Sequence, residues 1–207
     1  MRTIGQLLSD SWAGLKGNWK SPMLASLIYI IISGGFSSGL SALNIFPHDD
    51  FDGAFSLLSF LITIPMSVAI AQTLLLYVRG MRQDCIDNMF QKTFREYPRS
   101  LSLGFMVSLY TLLWSLLLLV PGIIKALSYS MTNYIALDHP DWSVGECINE
   151  SMRMMRGHKM RLFLINLIFA GLGILSIFTL GIALLWLCPW MYSIQANFYE
   201  DLKKQQA

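Results

Sequence analysis

Lys125 is followed by Ser128, Tyr129 and Thr132, three, four and seven residues further on. On a helix of about 3.6 residues per turn these four side chains share one face. The surrounding stretch, Leu119 to Tyr134, holds no other charge. A lysine in such a setting is costly in a membrane, so it faces the bundle interior with a partner or reaches the headgroups. An ammonium beside three hydroxyls suits an anion, because it offers charge and donors with no carboxylate to compete. The functional reading is a ligand-binding cavity between helices, open outward, that takes an anionic headgroup. The bland alternative is a lysine stem that snorkels to the outer leaflet. No apolar block of the chain contains Asp or Glu. An inward Lys125 therefore needs Asp49, Asp50 or Asp52, a lipid phosphate or an anionic ligand.

The other reactive residues point to ordinary roles. Clustered carboxylates in His48-Asp-Asp-Phe-Asp52 suit a hard cation, but the spacing matches no ligand loop and reads as a solvated acidic turn. No metal site is expected. His158, between Arg156 and Lys159, is either a base, a contact to inner-leaflet phosphates or a basic helix end. Lys16, Arg156, His158 and Lys159 together are read as membrane-surface residues, since each basic group near an anionic leaflet contributes about 1 kcal/mol. His139, between Asp138 and Pro140, reads as a turn residue. Cys85, Cys147 and Cys188 form no C-x-x-C pair and are expected as free thiols. There is no H-E-x-x-H, no P-loop, no G-x-S-x-G and no dinucleotide fingerprint. No catalytic residue and no cofactor are expected. The net charge of +2 is too small to suggest nucleic acid.

These residues need elements to hold them. Of the 207 residues, 54 % are hydrophobic and only 14 % charged, with a mean hydropathy of +0.50. Soluble domains carry about 25 % charge. The charges cluster in short segments between long apolar runs, which is the pattern of an integral membrane protein. Met1 to Lys20 has no early apolar block and no small-residue cleavage site, so the first apolar run is expected to stay as a span. Five apolar blocks stand out: Pro22 to Phe46, Ala54 to Val78, Leu101 to Val120, Ile123 to Leu137 and Leu162 to Tyr199. A span takes about 20 residues, so the last block divides at Phe178-Thr-Leu-Gly181. Pro121-Gly122 separates the third from the fourth. The expected count is six spans, the fourth being short. Pro65 and Pro189 fall inside spans and are expected to kink them. Gly35-x-x-x-Gly39 gives the first span a small-residue face for close packing. Gln72, Asn133, Asn166, Gln195 and Asn197 glue helices or line a polar path.

Six spans place both termini on one side, with fourteen of the 15 basic residues; that side is cytoplasmic by the positive-inside rule. Lys125 is the exception. The cytoplasmic segments read as amphipathic helices. Thr3-x-x-Gln6 and Ser143-x-x-Glu146 are capping boxes. Apolar residues then recur at helical spacing through Trp19 and through Met155, and Ile86, Met89, Phe90 and Phe94 make a third stripe. An offset of 140 relates Ser11-Trp-Ala-Gly-Leu-Lys-Gly-Asn to Ser151-Met-Arg-Met-Met-Arg-Gly-His, and Leu24, Leu27, Ile28 and Tyr29 to Leu164, Leu167, Ile168 and Phe169. Gly17 and Gly157 are placed to close the two surface helices in a left-handed conformation. The chain is then one domain, 1–207, with three possible hairpin units, 1–80, 81–137 and 138–207.

Pro121-Gly-Ile-Ile-Lys-Ala with Tyr129-Ser-Met-Thr-Asn-Tyr134, Asp138-His-Pro140, Ser151 through Lys159, and Pro189 with Phe198-Tyr-Glu200 occur in that order. So composed, the chain resembles the domain of unknown function 975 family of bacterial integral membrane proteins. Leu15-Lys-Gly-Asn-Trp19 fits the family's opening, residues 41–100 are the least typical, and Leu127 stands where an aromatic is expected. The resemblance implies a multi-pass bacterial plasma-membrane protein and supplies no reaction.

The reading is an all-α, polytopic membrane helical bundle of six transmembrane helices with cytoplasmic-face amphipathic helices and no enzymatic activity. Its partners are membrane lipids, with a protein partner or oligomer also in view. One function is to bind or move a lipid-like or small amphipathic anion through Lys125, Ser128, Tyr129 and Thr132. The alternative is a structural or regulatory subunit that docks a protein through its cytoplasmic helices.

Overall fold

In the computed structural model, residues 2–35, 52–81, 85–179 and 181–206 are described, and among them there is no strand. The helices run α1 Ile4–Leu15, α2 Lys20–Ile30 with a π turn Ile31–Gly35, α3 Asp52–Val78, α4 Cys85–Arg95 and α5 Tyr97–Leu117. They continue as α6 Leu119–Tyr129, α7 Thr132–Asp138, α8 Val144–Met154, α9 Lys159–Ser176 and α10 Leu184–Gln206. Among the described residues three segments are long and apolar enough to cross a membrane: Phe60–Val78, Tyr97–Leu117 and Lys159–Thr179. The first is 67 % buried and the others 11 % and 22 %, so α3 is central while α5 and α9 present their apolar sides outward.

Local chemistry explains the element ends. The Thr3 hydroxyl accepts from the Gln6 N–H, and the Gln6 side chain accepts from the Thr3 N–H. Ser143 and Glu146 do the same at α8. Both capping boxes therefore form as expected, each satisfying amides that a helix start leaves open. Gly17 and Gly157 take φ of +93° and +81° just after α1 and α8, as their placement predicts. The last apolar block divides where expected: α9 ends at Ser176, a 3-10 turn covers Ile177–Thr179, and Gly181 has a φ of +81°. Pro65 and Pro189 lie inside α3 and α10. The acidic turn at 48–51 and the small-residue face at 36–39 lie outside the described residues.

The boundary between the third and fourth apolar blocks differs from expectation. The break falls at Leu118, which is extended at φ −161° and ψ 141°, and Pro121-Gly122 sit in the first turn of α6. Proline is tolerated there because a first-turn amide needs no intrahelical partner. Gly122 is required by packing. A Cβ at this position would stand 2.7 Å from the Ser115 Cα and still closer to its Oγ. Glycine thus lets α5 and α6 form a tight antiparallel hairpin. Gly122→Ala is expected to cost about 1–3 kcal/mol by overpacking, read as a lower Tm in detergent. An unchanged Tm would mean that the hairpin opens freely.

The fourth apolar block is not one helix. It breaks at Ser130-Met131 into α6 and α7. Around this break and its neighbours, burial recurs at every fourth position of the short helices: Leu7, Ser11 and Leu15; Cys85, Met89 and Thr93; Cys147, Ser151 and Met155. The helices that follow bury Pro22 and Ala25, Ser100 and Leu103, Leu162 and Ile165. Helix α4 packs on α3, α8 on α7, and α1 on α10. Likewise α5 packs on α3, α9 on α6, and α2 on α10. The central core draws Ala71 and Leu75 of α3, Tyr134 and Ile135 of α7, and Ile194 and Phe198 of α10 into one cluster.

Candidate functional site

The α5–α6 hairpin carries Lys125. Its Nζ lies 4.7 Å above the ring of Trp114. A cation over an indole face is attracted by the ring quadrupole, by about 0.5–1 kcal/mol when exposed and more when dry. Among the described residues Lys125 is in none of the ion pairs. Around it Leu116, Leu117, Leu118 and Val120 are 83 %, 69 %, 63 % and 66 % exposed. The ammonium therefore rests on an aromatic ring at the edge of an apolar surface.

Ser128, Tyr129 and Thr132 are buried. The Ser128 hydroxyl donates to the Ile124 carbonyl at 2.7 Å, and the Tyr129 ring lies 6.3 Å from that of Tyr110. Ser151 of α8 stitches the helix break. Its Oγ donates to the Ser128 carbonyl at 2.7 Å and accepts from the Met131 N–H at 3.2 Å. A threonine in an unbroken helix donates to the carbonyl four residues back. For Thr132 that carbonyl belongs to Ser128 and is taken by Ser151. Thr132 Oγ1 is buried without a partner, as is Gln72 Oε1, whose amide donates to the Asn133 carbonyl at 3.2 Å. The four stripe residues thus separate: Lys125 is half-buried on Trp114, and the three hydroxyls are within the bundle. Gln72 joins α3 to α7, Gln195 accepts from the Tyr134 hydroxyl at 3.4 Å, and the Asn197 amide donates to Ser11 at 3.0 Å. These three polar side chains join helices.

The residues read as membrane-facing sit in two matching turns. Lys16 is exposed between α1 and α2; Arg156 is exposed and His158 half-buried between α8 and α9, which Lys159 opens. His139 follows α7 as its C-cap and stacks on Trp142 at 4.0 Å. No disulfide joins Cys85, Cys147 or Cys188.

The largest polar assembly was not legible as a site. Arg79, just past α3, donates to both Asp138 oxygens at 2.5 and 2.8 Å and to Glu200 at 2.7 Å. Lys203 and the Tyr199 hydroxyl also reach Asp138, at 2.7 and 2.9 Å. Burial works to raise the Asp138 carboxyl, but these donors outweigh it and hold it well below the usual carboxylate range. Arg2 pairs with Asp201 at 2.8 Å and with Asp10 at 3.3 Å. A cleft of about 240 Å³ lies beside it, lined by Arg2, Asp10, Tyr77 and Asn197 among others. Its guanidinium is already held by the two carboxylates and Asn197. The available signal was that Asp138 and Glu200 both fall within the quoted motifs. Among the described residues no group of three His, Cys, Asp or Glu could hold a metal.

A family model described as protein of unknown function (DUF975) matches residues 55–206. No curated protein and no solved structure matches the chain.

Proposed function

Because the chain belongs to the DUF975 family, whose function is unknown, its role rests on its own residues, and we propose that it is a non-catalytic protein of the bacterial plasma membrane that holds an anionic amphiphile at Lys125. The chain crosses six times with both termini cytoplasmic, and α1, α4 and α8 lie on the inner leaflet. The three candidate spans and the basic bias of the connecting segments support this placement. The recurring buried positions and the matching helix contacts support three units, 1–80, 81–137 and 138–207.

The observation that carries the ligand reading is Lys125 itself. It is a cation on an aromatic ring, among exposed leucines, and in none of the ion pairs of the described residues. A lipid phosphate supplies the missing charge while its tails cover the leucines. Native mass spectrometry of protein extracted from bacterial membrane tests this. Wild type is expected to retain an anionic lipid that Lys125→Met loses. Identical lipid spectra would make the lysine a snorkelling residue.

One observation favours the docking alternative. Phe94 of α4 is 70 % exposed and stacked on Phe90 at 6.1 Å. On α8, by contrast, Cys147, Ile148 and Met154 are buried. A docking surface would therefore centre on α4, and Phe94→Ser would release a partner without changing lipid retention.

A further inference from the structure

An offset of 78 carries the buried positions Leu7, Ser11 and Leu15 onto Cys85, Met89 and Thr93, and a further 62 carries these onto Cys147, Ser151 and Met155. The same offsets carry Ser21 onto Arg99, and Arg99 onto Arg161. These three residues open α2, α5 and α9, and the first two are engaged. The Ser21 hydroxyl accepts from the Cys85 N–H at 3.3 Å. Arg99 Nη2 donates to the carbonyls of Ala136, His139 and Trp142 at 3.4, 2.9 and 3.2 Å. Those carbonyls are open because α7 ends at Asp138 and the chain turns before α8 begins at Val144. Each residue thus fastens its helix to the seam between the preceding return helix and the next surface helix.

Arg161 meets a different seam. Helix α10 does not end where α7 ends; it continues to Gln206, and its carbonyls are used within the helix. Arg161 Nη2 is buried with no hydrogen-bond partner, and the guanidinium lies 5.9 Å over the ring of Phe198. It is in none of the ion pairs of the described residues. A buried guanidinium nitrogen without an acceptor is unfavourable, because arginine cannot shed its proton. Among the described residues nothing supplies that acceptor, and a molecule outside the chain can. The surface beside Arg161 says what kind. Met160, Leu164 and Leu167 are 67 %, 41 % and 56 % exposed on the same helix. An anion that fits here has an apolar body, and a planar fork of donors suits a phosphate.

We infer that Arg161 is a binding residue for the phosphate of an anionic lipid at the inner leaflet, in the position where Arg99 grips backbone carbonyls. The inference rests on the membrane placement proposed above and is independent of the Lys125 ligand. It predicts a lipid seated between the start of α9 and α10, covering Met160 and Leu164.

The test uses the full chain, delipidated in detergent, with thermal unfolding followed as phosphatidylglycerol, diacylglycerol of the same tails, or inorganic phosphate is added. Phosphatidylglycerol is expected to raise the wild-type Tm, and the other two are not. Arg161→Leu is expected to raise the half-saturating phosphatidylglycerol about tenfold or more, the loss typical of a charge-assisted contact. Should that variant fail to fold, Arg161→Lys keeps the charge without the fork and is expected to weaken binding by a smaller factor. Lys125→Met removes the other proposed anion site, and its effect is expected to add to that of Arg161→Leu in the double variant rather than replace it. An Arg161 variant that titrates like wild type overturns the inference, as does diacylglycerol matching phosphatidylglycerol. Equal stabilisation by inorganic phosphate overturns the lipid assignment and moves the anion to solution. Loss in Lys125→Met alone overturns Arg161 and leaves the Lys125 reading standing.

Discussion

Ser151→Val is expected to destabilise the protein by about 2–4 kcal/mol. Its hydroxyl serves two backbone groups at once, the Ser128 carbonyl and the Met131 N–H, both at a helix break inside the fold. Ser151 itself is fully buried. Valine fills the space but bonds neither group, and each orphaned buried group costs roughly 1–3 kcal/mol. Water cannot easily compensate at 0 % exposure. Ser11 occupies the corresponding place on α1, yet its Oγ takes only one bond from the Asn197 amide, which also donates to the Ser193 carbonyl. Ser11→Val is therefore expected to cost about 1 kcal/mol. Comparing the two variants by thermal unfolding in one detergent cancels their common change of side chain. Equal losses would mean that the α6–α7 break finds other partners.

Asp138→Asn is expected to cost about 3 kcal/mol, the lower end for removing one member of a buried ion pair, because Arg79 remains 25 % exposed and keeps Glu200. The carboxyl joins the ends of α3, α7 and α10 through Arg79, Lys203 and Tyr199. Its folded pKa lies below the ordinary value near 4. The stabilisation is thus fully present above that value and is lost as pH falls through it, from about pH 5 downward. Asp201, held by Arg2, is shifted the same way and adds to the same loss. Wild type should lose Tm between about pH 5 and 3, and Asp138→Asn should show a shallower fall. Parallel curves would show that Asp138 does not carry the acid sensitivity.

Local grammar was legible in the sequence. Capping boxes at Thr3 and Ser143, left-handed glycines at 17 and 157, and the turn at 178–181 follow from short-range sterics and hydrogen bonding. The α5–α6 boundary was misplaced because Pro121-Gly122 looks like a turn, whereas the glycine answers to Ser115 on the neighbouring helix. Ser11 and Ser151 were unreadable for a related reason. A serine in an apolar stripe looks like an interruption until the group it bonds is known. The Arg79–Asp138–Glu200 assembly joins residues 59 and 121 apart in sequence, and composition treats each as a loop charge. Lys125 was conspicuous because it is alone in its apolar stretch; Arg161 hid among the other basic residues of its segment.

Helix α1 rests on α10, with Arg2 fastened to Asp201. Helix α1 therefore emerges from the ribosome long before α10, one of the helices it docks on. During synthesis the faces of α1 and α2 that meet α10 stay uncovered until α10 emerges. Assembly of this seam cannot finish piecewise, and a chain truncated before α10 leaves the α10-facing side of α1 exposed. The same contact brings Arg2 beside Asp201, so a permuted chain, opened between α3 and α4 with α10 joined to α1 by a linker, would make this seam first.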